Sequence, residues 1–254
     1  MSMQTRDQSY LSGTEVEAAM EYARIATEYD IDVTLFVTGR AALEEPDTYR
    51  RLAQMDSVEI GGHNHFAYHL PYLDSLPYNA CYKAFGVYSP AFIQKLGVQR
   101  ALSTLSKTLD KDIVSWRNHA YRNDRNTAPI LSDAGIEYLS DTVSPKYQKP
   151  FREHGLTMIP VNTLPDHEHM YHAFRTEEYV DQLEWNNSFT DKSFYPEEWA
   201  ERVLSQIDAM ETGVATVLAH PACMSIADGF ETFRRLCDGL ANYESSWMRE
   251  VTND

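Results

Sequence analysis

The chain has 254 residues, enough for one large domain or two small ones, and 43% of them are hydrophobic, which excludes global disorder. Its formal charge of −16 excludes nucleic acid and anionic membranes as main partners, since both would repel it. No run approaches the ~20 apolar residues of a membrane span, and the three cysteines, Cys81, Cys223 and Cys237, have no C-x-x-C spacing and read as buried or free thiols of a reducing compartment. The first residues lack the charged and apolar regions of a signal peptide, so the expected location is cytoplasmic. A solvated acidic surface, as in a salty habitat, is the plain reading of the charge.

In chain order, Met1–Thr5 is a candidate for a very short first strand, followed by Asp7 and a turn at Ser12-Gly13. Thr14 and Glu17 form a T-x-x-E capping box that opens a helix to about Tyr29, with Val16, Ala19, Met20, Ala23 and Ala26 on one side. Ile31–Thr38 is a β-branched, aromatic strand stopped by Gly39. Pro46 and Asp47 start a helix through about Met55. Val58–Ile60 is the next strand, and Ala67–Pro90 reads as a long functional loop. Then come a helix at Ala91–Leu109, a strand at Asp112–Trp116, a helix at Thr127–Ala134 closed by Gly135, and strands at Ile136–Leu139 and Leu156–Val161. A helix from Pro196 to about Met210, a strand at Val214–Ala219 and a helix at about Asp228–Tyr243 complete the chain. Strands alternate with helices and no linker interrupts them. The expectation is a single α/β domain over 1–254 with mostly parallel strands, as an open sheet or a barrel.

The stretch Val58–His69 carries the clearest chemistry. It puts His63, His65 and His69 into seven residues, after a strand and two glycines, in a chain with only nine histidines. Neutral imidazoles suit zinc, and a hydrolytic zinc site needs about three protein ligands with an open position for water. Two or three of these histidines with one carboxylate would meet that need. Asp7 is the first choice for the carboxylate, as ligand or as general base. His63, Arg117, Asp141, Asp166 and His220 each follow the C-terminal end of a predicted strand. Parallel α/β folds gather those ends on one face, so one composite pocket is expected. Arg117 would hold a carboxylate bidentately, and His220 would protonate a leaving amine. Asp166, His167, Glu168, His169 and His172 form a second polar cluster, read as a substrate wall, a second metal shell or a solvated loop. Phe66, Tyr68, Tyr72 and Tyr78 are stacking or packing aromatics.

Five segments in this order resemble the motifs of the polysaccharide deacetylase family, the chitooligosaccharide-deacetylase-like carbohydrate esterases. They are Ile31–Gly39, Val58–His69, Trp116–Tyr121, Asn126–Asp141 and Val217–His220. The resemblance implies a distorted (β/α)7-type barrel and metal-dependent removal of an acyl group. It further implies a divalent metal, zinc first, held by one Asp and two His, with a second Asp as base steadied by Arg117. His220 would be the acid, and a backbone oxyanion donor would lie near Tyr121. Asp166 and His167 join Tyr121 as candidate substrate contacts. Two departures stand out. The family's paired carboxylates become Asp7-Gln8, and placement after the glycines selects His63, whose i+4 residue is Ala67, whereas helical spacing selects His65 and His69. The expected activity is hydrolysis of a C–N amide bond, most simply in a small acetamido sugar or oligosaccharide. An allantoinase-like hydrolase, a non-catalytic carbohydrate binder and a protein with only a stabilising ion are the rivals. Homo-oligomer formation is compatible with each.

Overall fold

The computed structural model describes residues 7–65, 86–183 and 188–252, without the side chains of residues 7 and 8. The Met1–Thr5 strand, the Asp7 carboxylate, His69, the four stacking aromatics, Cys81 and most of the 67–90 loop lie outside what is described.

Helix α1 (Glu15–Glu28) begins at the capping box read from the sequence. The Thr14 hydroxyl accepts from Glu17 N at 3.1 Å, and the Glu17 carboxylate accepts from Thr14 N at 2.8 Å. Strand β1 (Val33–Val37) leads into helix α2 (Gly39–Glu44), which the sequence reading took only as a stop at Gly39; Thr38 caps it through Ala41 N. Helix α3 (Pro46–Leu52) follows, then strand β2 (Val58–Gly62), buried at every position. Helix α4 (Ala91–Leu109) covers α2, α3 and the next helix, α5 (Thr127–Asp133). Strands β3 (Ser115–Trp116) and β4 (Tyr138–Leu139) are short central rungs. Strands β5 (Phe151–Glu153) and β6 (Leu156–Met158) form a hairpin turned at His154 and Gly155, both at positive φ (50° and 81°).

The sheet runs β1-β2-β3-β4-β6-β5, parallel except for the β5 edge. Among the described residues it is open, not a closed barrel. The 214–219 segment runs beside residues 162–166, but side chains replace the ladder. Asn162 Nδ2 donates to Val214 O and Asn162 Oδ1 accepts from Thr216 N, at 2.9 and 2.8 Å, while Thr163 Oγ1 donates to Thr216 O at 2.9 Å. Side chains that capture Val214 O, Thr216 N and Thr216 O take those groups out of strand pairing, and one backbone bond, Asp166 N to Leu218 O at 3.4 Å, remains between the segments.

After β6 come the short helices α6 (Asp166–His169) and α7 (Glu177–Val180), then α8 (Pro196–Asp208). The last predicted helix is α10 (Glu231–Leu240); before it lies α9 (Pro221–Asp228), which the sequence reading did not predict, and left-handed Gly229 and Phe230 (φ 65° and 72°) separate the two. α1 packs against α3, α9 and α10, where Tyr22 stacks on Phe233 at 3.8 Å. Within the sheet, Glu59 is buried and bonded to Thr34 Oγ1 (2.7 Å) and Ser115 Oγ (2.6 Å); Arg249 N also donates to it, at 3.3 Å. Beside it, Met248 N donates to Thr34 Oγ1 at 3.0 Å.

The register sets the site. Gly62 pairs with Trp116, and Trp116 with Leu139, so β2, β3 and β4 end side by side. Gly62 allows this approach: a Cβ there would stand 2.4 Å from the Trp116 ring. The next residues, His63, Arg117 and Ser140-Asp141, therefore emerge together at one edge.

Candidate active site

His63 leaves β2 with its Nδ1–H donating to the Arg117 carbonyl at 2.6 Å. The lone pair is thereby assigned to Nε2. Burial, with the nearby His119 ring at 5.5 Å, pushes its pKa down to about 3, so the imidazole is neutral. Asn64 follows at positive φ (62°) and turns the chain. His65 then lies on a bend, not in a helical turn, so the same-face geometry with His69 does not begin there. Its ring packs where a Cβ on Gly39 would meet Nδ1 at 2.4 Å, beside Ala101 of α4, with Arg40 and Arg100 as its charged neighbours. His63 and His65 are thus not brought together.

Arg117 is buried, and burial lowers its pKa. Among the described residues its hydrogen bonds go to Ser140 and not to a carboxylate: Nε donates to Ser140 O at 3.0 Å, Nη2 to Ser140 Oγ at 2.7 Å, and the guanidinium lies 4.5 Å over the Phe36 ring. Asn118 anchors a second set of bonds. Its Oδ1 accepts from Asn64 Nδ2 and Trp116 Nε1, both at 3.0 Å. Its backbone N and Nδ2 donate to the two Asp141 oxygens at 2.7 and 2.6 Å. Asn64 Oδ1 accepts from His119 N at 2.9 Å. Burial raises the Asp141 pKa to about 6 against these bonds. Ala120 and Tyr121 are both left-handed (φ 54° and 52°), a strained pair of the sort that collects at functional sites. The Tyr121 amide donates to Asn118 O at 2.9 Å, so it is not itself an oxyanion donor. Burial, with Glu168 next, raises the Tyr121 phenol well above its ordinary range, so it stays a protonated donor.

The second cluster forms around α6. Asp166 is fully buried, and its carboxylate accepts from His220 Nδ1 (2.7 Å), His220 N (2.6 Å) and His167 N (2.8 Å). Burial opposes its charge, but His220 and His167 outweigh that and keep its pKa low. The His220 side chain, by contrast, is 45% exposed. Burial works against its charge too, yet Asp166 and Glu168 hold it up to about 9, a pull that the partial exposure moderates. Glu168 has a raised pKa, chiefly from burial, and its Oε2 is buried with no hydrogen-bond partner among the described residues. Its carbonyl is held by Ser193 Oγ at 3.1 Å and by Arg175. His169 Nδ1 donates to Lys192 O at 2.8 Å, which makes it a structural residue. Cys223, read from the sequence as a buried or free thiol, is buried and lies 3.4 Å from His172 Nε2.

The strand-end residues thus converge as expected. Charges on Arg117, His119 and His220 all bear on His63, and those of Asp141, Asp166 and Glu168 on Tyr121. The sequence reading missed the individual roles of Asn118, Glu168 and Cys223, of which only the Asp166–His172 clustering gave a signal. Of the metal ligands that the resemblance implies, the described residues bring only His63 to the pocket. One imidazole does not hold an ion, so the implied ligand set is not met by these residues.

No protein-family model matches the chain, and no curated protein matches it in sequence. Solved structures do match. A protein of Mycobacterium smegmatis described as a polysaccharide deacetylase superposes with a TM-score of 0.64 at 17% identity, over 92% of this chain and 73% of that one. PuuE allantoinase gives 0.63 at 16%, over 94% and 70%. A family 4 carbohydrate esterase pseudoenzyme from Bacillus anthracis gives 0.55 at 11%, over 95% and 62%. The chain therefore has the polysaccharide-deacetylase-like fold.

Proposed function

We propose that this chain, on its polysaccharide-deacetylase-like fold, is a hydrolase of carbon–nitrogen amide bonds, with a small N-acetylated sugar as the leading substrate class. The observation that carries this reading is the Asp166–His220 pair: a fully buried carboxylate bonded at 2.7 Å to an imidazole whose other edge is open to solvent. Asp166 fixes the proton on Nδ1 and favours the imidazolium, so the Nε2–H is available to a leaving nitrogen. Glu168, a buried carboxylate with an unengaged oxygen, takes the base role for which Asp7 was the sequence candidate.

Water adds to the amide carbon as Glu168 accepts one of its protons, and the carbonyl π pair moves onto oxygen. The Tyr121 hydroxyl donates to that oxyanion. The C–N bond then breaks as His220 Nε2–H protonates the nitrogen, giving a carboxylic acid and an amine. The proton on Glu168 passes through solvent to restore His220. A divalent metal, zinc first, would add Lewis acidity and a water of lowered pKa, with Asp7, His63, His65 and His69 as the candidate ligands read from the sequence. No step above depends on it.

The near-equal likeness to PuuE allantoinase supports a second reading, a cyclic or linear ureide as substrate. Gln8 and the likeness to a pseudoenzyme support a third, a carbohydrate binder without turnover. The deciding measurement is amine or ammonia release from N-acetyl sugars and ureides by wild type, His220→Ala and Glu168→Gln. Release by wild type that both variants abolish is expected. Equal release by all three would overturn the mechanism, and sugar binding without release would favour the third reading.

A further inference from the structure

We propose that His167, His172 and Cys223 form a binding site for a borderline-soft divalent cation, of which zinc is the type. Their candidate ligand atoms all lie within 4.8 Å of one another. Cys223 Sγ is 3.4 Å from His172 Nε2 and 3.9 Å from His167 Nδ1. Zinc–sulfur and zinc–nitrogen bonds of ~2.3 and ~2.05 Å at a tetrahedral angle place the two ligand atoms about 3.6 Å apart. The two observed separations bracket that edge.

The surroundings prepare the donors. His172 Nδ1–H donates to Met170 O at 2.8 Å, which fixes the tautomer with the lone pair on Nε2, facing the sulfur. The His172 backbone is locked by a reciprocal turn with Arg175, whose amide donates to His172 O at 2.7 Å. His167 N is held by Asp166 Oδ1 at 2.8 Å. Cys223 is the third residue of α9, so the first turn of that helix fixes its position. Cys223 and His172 are buried, while His167 is partly exposed and offers an entry path.

A second triad, Asp166, His220 and Cys223, shares the sulfur. Its donors are engaged already: Asp166 accepts three hydrogen bonds, and His220 Nδ1 gives one of them. They act as the outer support, and the three-donor set leaves a fourth position for water.

The test uses cobalt(II) on the full chain, with no substrate, so it stands apart from the proposed hydrolysis. Wild type should bind a single cobalt tightly, with the intense visible bands of tetrahedral coordination and a near-ultraviolet thiolate-to-cobalt charge-transfer band. Cys223→Ser should lose the charge-transfer band, and His172→Ala should bind at least about tenfold more weakly. His63→Ala should keep both signals. Bound metal should also slow alkylation of Cys223, followed by peptide mass spectrometry on wild type, which keeps the test independent of variant folding. Absence of the charge-transfer band in wild type, its loss in His63→Ala but not in Cys223→Ser, or alkylation unchanged by cobalt would overturn the proposal.

Discussion

Two polar networks sit at the carboxyl edge of the sheet, and they are finished to different degrees. Around Asn118, both polar atoms of its side chain have partners: Asn64, Trp116 and Asp141 meet it, and His119 N closes the ring back to Asn64. Around Asp166, the carboxylate is saturated, but Glu168 keeps a buried oxygen without a partner and His220 keeps an exposed edge. A completed network locks positions, because any change leaves a buried group unmatched. An incomplete one retains capacity to bind or to move a proton. On the proposed function, the first network is scaffold and the second carries the chemistry.

That division can be broken by substitution. The largest effect is expected from His220→Ala, a fall in turnover of about 10²–10⁴-fold that outweighs the loss of stability from leaving the buried Asp166 carboxylate without its imidazole partner. Asn118→Ala should do the reverse. It strands Asn64, Trp116 and Asp141, and urea unfolding should show a loss of about 3 kcal/mol. Asp141→Asn comes next, at about 1–3 kcal/mol. Asn118 Oδ1 is pinned by two donors, so its amide cannot flip, and the new Asn would set NH₂ against NH₂.

The same residue sharpens the comparison through pH. Folding raises the Asp141 pKa from 3.8 to about 6, so the folded chain holds that proton more tightly than the unfolded one. Its contribution to stability is full below about pH 4 and is lost as pH rises through about 6. The stability advantage of wild type over Asp141→Asn should therefore shrink between pH 4 and pH 7, by up to about 3 kcal/mol. The smallest effect is expected between the networks. Ala120→Gly removes a Cβ from a left-handed residue and should stabilise by no more than about 1 kcal/mol, read from thermal unfolding.

Much of this architecture was legible because it follows from local chemistry. The capping box at Thr14, the β-branched run before Thr38 and the double glycine before His63 each mark an element by residue type. The strand-end rule then found His63, Arg117, Asp141, Asp166 and His220. What it missed depends on distant partners. Cys223 faces His167 across 56 positions of sequence, and a lone cysteine carries no spacing signal of its own. Among the described residues Arg117 donates to Ser140, a partner that strand register supplies and residue type does not announce. A left-handed Asn64 redirects the chain before His65, and Asn gives only a weak hint of that conformation. The barrel stayed open among the described residues because Asn162 intercepts the backbone of the 214–219 segment.

The tail that reaches Glu59 sets an order of events in the cell. A ribosome releases β1, β2 and β3 long before residues 248 and 249. Until those two emerge, the buried carboxylate lacks the Arg249 amide, and Thr34 lacks its donor from Met248. The central sheet can assemble during synthesis, but its final tightening waits for the tail. A stalled or clipped polypeptide would then be left with a thirsty acid at the heart of its sheet, a ready mark for quality control.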